Sequence, residues 1–169
     1  MNRPDFQEWG LIVASAVSTR GDCIRRRVGA VILDRNDRIC GAGYNGTYTG
    51  APGCLQGACP RGWHGIADRP SSATSFDPNR CICGAYWPCP EAAEPGSSYD
   101  TGPGACIAVH AEVNALLDVS EKGRLADATM YITSEPCKGC LKILRNTSIR
   151  RLVWEGEGWE VKTAAWPFE

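Results

Sequence analysis

Two short pieces of sequence that must meet in space constrain this chain more than anything else in it: His110-Ala111-Glu112, and Pro136-Cys137-Lys138-Gly139-Cys140. One imidazole, two thiols and one carboxylate are the parts of a zinc site able to activate water. Three protein ligands, His110, Cys137 and Cys140, leave the fourth tetrahedral position open, which marks a catalytic zinc rather than a structural one. Glu112 stands two residues after the proposed ligand, close enough to move protons beside the metal. The cysteines are three apart, so on a first helical turn both thiolates point the same way. Pro136 suits a helix start, where its missing N–H costs nothing, and the partial positive charge there favours thiolates over thiols. His110 and Glu112 open a run with helical spacing, Val109, Val113, Leu116 and Leu117. Two helix starts therefore face one metal. Taken singly, the pieces have plainer readings. A C-x-x-C is also a redox pair or half of a structural zinc ribbon, and an H-x-E alone means nothing. A purely structural zinc needs a fourth protein ligand, and Glu112 serves as one only if no water is required.

A length of 169 residues suits one domain with a real core. A net charge of −1 and a pI of about 6.1 argue against a protein that coats polynucleotides with a basic surface. No apolar run approaches a membrane span, and Met1-Asn2-Arg3-Pro4-Asp5 lacks the basic and apolar regions of a signal peptide. The expected location is cytoplasmic. Ten cysteines in a reducing compartment are better explained by metal ligation than by disulfides.

Residues 5–18 read as a helix with Phe6, Trp9, Leu11, Ile12, Val13, Ala16 and Val17 as its apolar face. Residues 28–33, rich in β-branched side chains, read as a buried strand. Residues 34–37 form a turn, and residues 38–44 a second strand antiparallel to the first. From about 46 to 104 the chain is dense in Gly, Pro, Ser and Cys without periodicity. A structureless loop of that length needs staples, and its cysteines and His64 are the obvious ones. There follow a helix (110–119), a strand (129–133), a helix (137–146) and a strand (151–154). This alternation predicts parallel pairing in a layered α/β domain. Trp154, Trp159, Trp166 and Phe168 are bulky for an exposed tail and are expected to pack on the domain or on another subunit.

Several separated segments point one way: residues 23–30, Gly43-Tyr44-Asn45-Gly46 with Gly50, residues 110–116 including Asn114, and residues 131–140. Together with the H-x-E…P-C-x-x-C pattern of zinc deaminases, they closely resemble the deoxycytidylate (dCMP) deaminase family of the cytidine deaminase-like superfamily. The resemblance spans roughly residues 5–55 and 104–154. His-Ala-Glu and Pro-Cys-x-x-Cys are shared across the superfamily; the Gly-Tyr-Asn-Gly loop and Asn114 are more specific to the dCMP branch. The resemblance implies a single α/β domain over residues 1–169. Its fold would be three-layered, a mixed central sheet flanked by helices, with a zinc-stapled Cys-rich insertion at about 46–104. It implies hydrolytic deamination of dCMP to dUMP: His110, Cys137 and Cys140 bind zinc, zinc hydroxide attacks C4, Glu112 shuttles protons and ammonia leaves. The Ala111 N–H would bind the base carbonyl, the backbone near Ser134 would receive the amino group, and Asn45 would bond the sugar. A homo-oligomer is implied, as is, in some members, a deoxynucleoside triphosphate regulator. Two departures stand out. Tyr48 occupies the place of a family proline, where it either stacks on the base or covers the loop. The chain also ends soon after its fourth predicted strand, where many relatives continue with another helix and strand.

Relatives often carry a structural zinc beside the active site. Cys23, Cys54, Cys59 and Cys106 resemble positions available for it, and a closed thiolate site contributes folding energy directly. His64, Cys81, Cys83 and Cys89 could form a further tetrahedral site, or one site could draw on both groups and leave spare thiols. The expectation is one catalytic zinc and one or two structural ones. Cys40, in a predicted strand, reads as an inert core thiol. Arg25, Arg26 and Arg27 precede the first strand near Asn45, and a guanidinium fork suits a 5′-phosphate; the alternative is a solvated turn.

Other functions fit parts of this pattern. The same chemistry could act on cytidine, CMP, a modified pyrimidine nucleotide, or a base in tRNA or single-stranded DNA. The last needs a basic surface and stacking aromatics, for which Trp63 and Trp87 are candidates. A zinc-stapled interaction module on a dead site is the non-enzymatic alternative, and the intact Glu112 speaks against it.

Overall fold

Asp5 starts the first helix by accepting a hydrogen bond from the Glu8 N–H (2.8 Å) while its own N–H donates to the Glu8 carboxylate (3.3 Å), a reciprocal cap on a helix N-terminus. In the computed structural model, which describes residues 2–59, 61, 105–156 and 160–168, this helix is α1 (Phe6–Ser18). It buries a narrower face than the sequence suggests: Leu11 and Ala14 are buried, whereas Phe6, Ile12 and Ala16 face outward. The chain divides into two units, Met1–Gly46 with Val109–Glu169, and Thr47–Ala108.

In the first unit, strands β1 (Gly29–Leu33) and β2 (Ile39–Tyr44) form the predicted antiparallel hairpin. Helix α2 (Ala111–Asp118) precedes β3 (Thr129–Ile132), and helix α3 (Lys138–Leu144) precedes β4 (Arg151–Glu155). The predicted parallel pairing holds for β3 with β4, while β1 and β3 run antiparallel. A fifth strand, β5 (Val161–Ala165), pairs antiparallel with β4, so the sheet order among the described residues is β2-β1-β3-β4-β5. The sequence reading stopped at four strands because β5 is an exposed edge whose side chains need no apolar alternation.

Alternate residues of the central strands serve two cores. Val31, Leu33, Tyr131 and Val153 pack with Leu11 and Ala14 of α1. Ala30, Ile32, Met130, Ile132 and Leu152 pack with Ala111, Ala115 and Leu116 of α2 and Leu144 of α3. The result is a mixed sheet with helices on both faces. Glycines set the spacing: a Cβ on Gly43 would lie 2.2 Å from the Ala115 nitrogen, and one on Gly29 would lie 2.1 Å from the Ala14 oxygen. Helix α2 also dresses the outer edge of β2, since Asp118 accepts from the Ala42 N–H (3.0 Å) and Asn114 donates to the Tyr44 carbonyl (2.7 Å). Groups engaged this way are withheld from pairing with another strand.

At the far end of the hairpin, Asp34 is buried. One carboxylate oxygen accepts from the Asn36 and Arg38 N–H groups, the other from Arg124 at 2.9 and 2.5 Å. In the tail, Phe168 is buried, Trp154 packs against the core, and Trp166 lies half exposed under the Arg150 guanidinium. Arg145 donates twice to the Phe168 carbonyl. Trp159 lies outside the described residues. Among the described residues of the second unit, a 3-10 turn spans Cys54–Gln56, and Cys54 and Cys59 are buried; the rest of the predicted insertion lies largely outside the described residues.

Two stability predictions follow from these contacts. Gly43→Ala forces backbone against backbone and should cost at least about 1–3 kcal/mol in urea unfolding. The Arg124 hydrogen bond, aided by the two backbone donors, holds the Asp34 carboxyl below its ordinary 3.8. A depressed folded-state value stabilises the fold above that pH and is lost as pH falls through it. Asp34→Asn should therefore lower stability at neutral pH and flatten the acid limb of the stability curve below about pH 4.

Candidate metal centre

His110 and Cys137 each occupy the position just before a helix. His110 is the N-cap of α2, with extended backbone, and the preceding Val109 exchanges two backbone hydrogen bonds with Gly46 (2.8 and 3.1 Å). That bridge ties the start of α2 to the Gly-Tyr-Asn-Gly loop, and Asn114, one turn on, ties it again through Tyr44. Cys137 is the N-cap of α3, its sulfur accepting from the Cys140 N–H at 3.4 Å. The sequence reading sets Pro136 at the helix start; it lies instead one residue before the cap, and the cap itself is the thiol. Each helix starts one residue later than predicted, because His110 and Cys137 are caps, and they end at Asp118 and Leu144 rather than at 119 and 146.

The two helix starts bring His110 Nδ1 to 3.5 Å from Cys137 Sγ and 3.3 Å from Cys140 Sγ. The three ligand atoms lie within 4.8 Å of one another, the sole such group of His, Cys, Asp or Glu among the described residues. Ligands at ordinary zinc–nitrogen and zinc–sulfur lengths in a tetrahedron are separated by about 3.6 Å, so the donor set fits zinc in kind and in spacing. Glu112 is buried on the first turn of α2. Burial, then the neighbouring Glu112 charge and the Cys137 sulfur, push the Cys140 thiol far above its usual range. Without a cation this sulfur stays protonated; a dication is what makes it a ligand.

Ala111 is buried at the first position of α2, where backbone N–H groups have no partner within the helix. Ser134 is buried in the turn between β3 and α3. That turn is anchored by Thr133, which the sequence reading did not single out: its N–H donates to the Gly29 carbonyl (3.0 Å) and its hydroxyl accepts from the Gly29 N–H (3.1 Å). Arg25, Arg26 and Arg27 are exposed in the segment before β1. The Asn45 side chain lies against that segment, donating to the Arg26 carbonyl (2.8 Å) and accepting from the Val28 N–H (2.9 Å). Cys23 Sγ accepts from the Arg26 N–H at 3.5 Å. Cys54 and Cys59 are buried, Cys106 is half-buried, and Tyr48 is exposed. Cys40 is half-buried, and burial raises its thiol above the usual range. His64, Cys81, Cys83, Cys89, Trp63 and Trp87 lie outside the described residues.

Residues 5–155 match the family model described as the cytidine and deoxycytidylate deaminase zinc-binding region. The deoxycytidylate deaminase of Mycobacterium phage D29 is 37% identical over 158 residues, covering 93% of this chain and 99% of that protein. That of Enterobacteria phage T4 is 33% identical over 147 residues, covering 85% of this chain and 74% of the phage protein. The fold resembles the crystal structure of dCMP deaminase from the cyanophage S-TIM5 in complex with dCMP and dUMP, with a TM-score of 0.51 and 23% identity over 91% of this chain and 83% of that one.

Zinc added to the metal-free protein should release protons, because Cys140 enters the site as a thiol, and the affinity should fall with falling pH. Calorimetry in two buffers of different ionisation heat measures the release. Cys140→Ser should lower the bound zinc by about one per chain.

Proposed function

The chain belongs to the cytidine and deoxycytidylate deaminase family, and on that premise we propose that it converts dCMP and water to dUMP and ammonia. The observation that carries this reading is the convergence of His110, Cys137 and Cys140 beside the buried Glu112. Three protein ligands leave one position of a tetrahedron for water. The naming of the phage D29 and T4 relatives as deoxycytidylate deaminases supports the substrate.

The steps follow from what each group can do. Zinc held by His110, Cys137 and Cys140 would supply a Lewis acid that lowers the pKa of water towards neutrality. The Glu112 carboxylate takes one proton from the attacking water as its oxygen bonds to C4 and delivers it to the ring nitrogen, then takes the proton left on that oxygen and delivers it to the departing amine. The bond between C4 and the exocyclic nitrogen breaks and ammonia leaves. The Ala111 N–H, unpartnered within its helix, binds the pyrimidine carbonyl, and the backbone at Ser134 receives the amino group. Donors fixed in advance stabilise charge as it develops, without reorganising. Arg26 and Arg27 hold the 5′-phosphate, with Arg25 beside them.

The same reading takes residues 1–169 as one catalytic domain with an insertion at about 46–104, acting in the cytoplasm as a homo-oligomer that a deoxynucleoside triphosphate can regulate. It keeps the structural zinc sites: Cys23, Cys54, Cys59 and Cys106 for one, His64, Cys81, Cys83 and Cys89 for a second. Metal analysis should return about two or three zincs per chain; a single zinc removes the structural sites and leaves the catalytic one.

Zinc-loaded protein incubated with dCMP should form dUMP, followed by chromatography. Glu112→Ala should retain zinc and lose at least about a hundredfold in kcat, the lower end of what a positioned proton carrier contributes. Absence of dUMP with zinc bound would refute the substrate; full turnover by the variant would refute the shuttle.

A further inference from the structure

One residue holds the whole arginine segment. The Asn45 N–H donates to the Val28 carbonyl (3.1 Å) and its carbonyl accepts from the Asp22 N–H (2.9 Å). Its side-chain nitrogen donates to the Arg26 carbonyl (2.8 Å), and its side-chain oxygen accepts from the Val28 N–H (2.9 Å). Four polar groups of a single residue thus fix both ends and the middle of residues 22–28, which have no helix or strand of their own. The fit is close: a Cβ on Gly21 would lie 2.8 Å from the Asn45 side-chain oxygen and 3.0 Å from Arg27 Cβ. An amide at a nucleotide site is ordinarily read as a contact to substrate. Here each end of the amide already serves the backbone that carries the arginines.

We propose that Asn45 is a positioning residue, which pre-shapes residues 25–27 into an anion-binding arc for the 5′-phosphate and so decides between nucleotide and nucleoside. This rests on the phosphate role given above to Arg26 and Arg27. Exposed arginines on a loose segment lose backbone and side-chain freedom when they close on a phosphate; a backbone held beforehand leaves only the side-chain part to be lost. The effect is on binding of the phosphorylated substrate and not on chemistry at C4. A sugar contact, by contrast, acts equally on dCMP and deoxycytidine.

The test compares kcat and KM for dCMP and deoxycytidine in Asn45→Ala, Asn45→Asp, the Arg26→Ala/Arg27→Ala pair and their combination. Asn45→Asp keeps the shape and the acceptor for Val28 while removing the donor to Arg26, so it serves if the alanine variant fails to fold. Both Asn45 variants should lose about tenfold or more in kcat/KM for dCMP beyond any loss for deoxycytidine, with the loss in KM. They should add little once the arginines are gone, because residues acting as one unit are not additive. Equal losses on both substrates from Asn45 variants, with the arginine pair still selective for dCMP, would overturn the proposal and leave the phosphate reading standing. An arginine pair that affects both substrates alike would overturn the phosphate reading and the proposal with it.

Discussion

The glycine face of β2 is the constraint from which the rest of the site follows. Gly41 and Gly43 present no side chain to α2, so a helix lies against a strand at a separation that any Cβ would break. That approach puts Asn114 within reach of Tyr44 and Asp118 within reach of Ala42. The helix is thereby fixed along the strand as well as against it. His110 and Glu112 sit at its first turn, and their positions relative to the β1–β2 hairpin are set by these few contacts.

The second half of the site is built on the opposite logic. Cys137 and Cys140 lie on a short helix whose cap is itself a prospective ligand. Burial and the Glu112 carboxylate make Cys140 a poor thiolate on its own. An environment hostile to one negative sulfur becomes favourable when a dication sits between it and its neighbours, and the carboxylate that disfavours the bare thiolate is the one available to carry protons. Electrostatic discomfort in the metal-free site and catalytic competence in the loaded one are the same arrangement in two states.

Much of this was legible in the sequence where chemistry and periodicity coincide. His110, Cys137 and Cys140 meet as their spacing foretold, because each stands where apolar periodicity begins. The strand β1 is legible as an apolar run buried along its whole length, and β2, a half-exposed run with two glycines, is legible from the short turn that joins it to β1. The strand β5 was not: Val161, Lys162, Thr163 and Ala165 are exposed and show no period to read. The outward placement of Phe6 and Ile12 was equally hidden, since helix periodicity marks a stripe but not its width. The tie of Asn45 to Arg26 and Val28 joins residues far apart in sequence through backbone groups, which have no sequence identity to recognise.

The two cores that hold the sheet between its helices include neither His110 nor Cys137 nor Cys140. Their cohesion is hydrocarbon against hydrocarbon and owes nothing to coordination. Cohesion of the sheet and capture of the metal are thus divided between different side chains, so replacing His110, Cys137 or Cys140 takes away a donor and no member of either core.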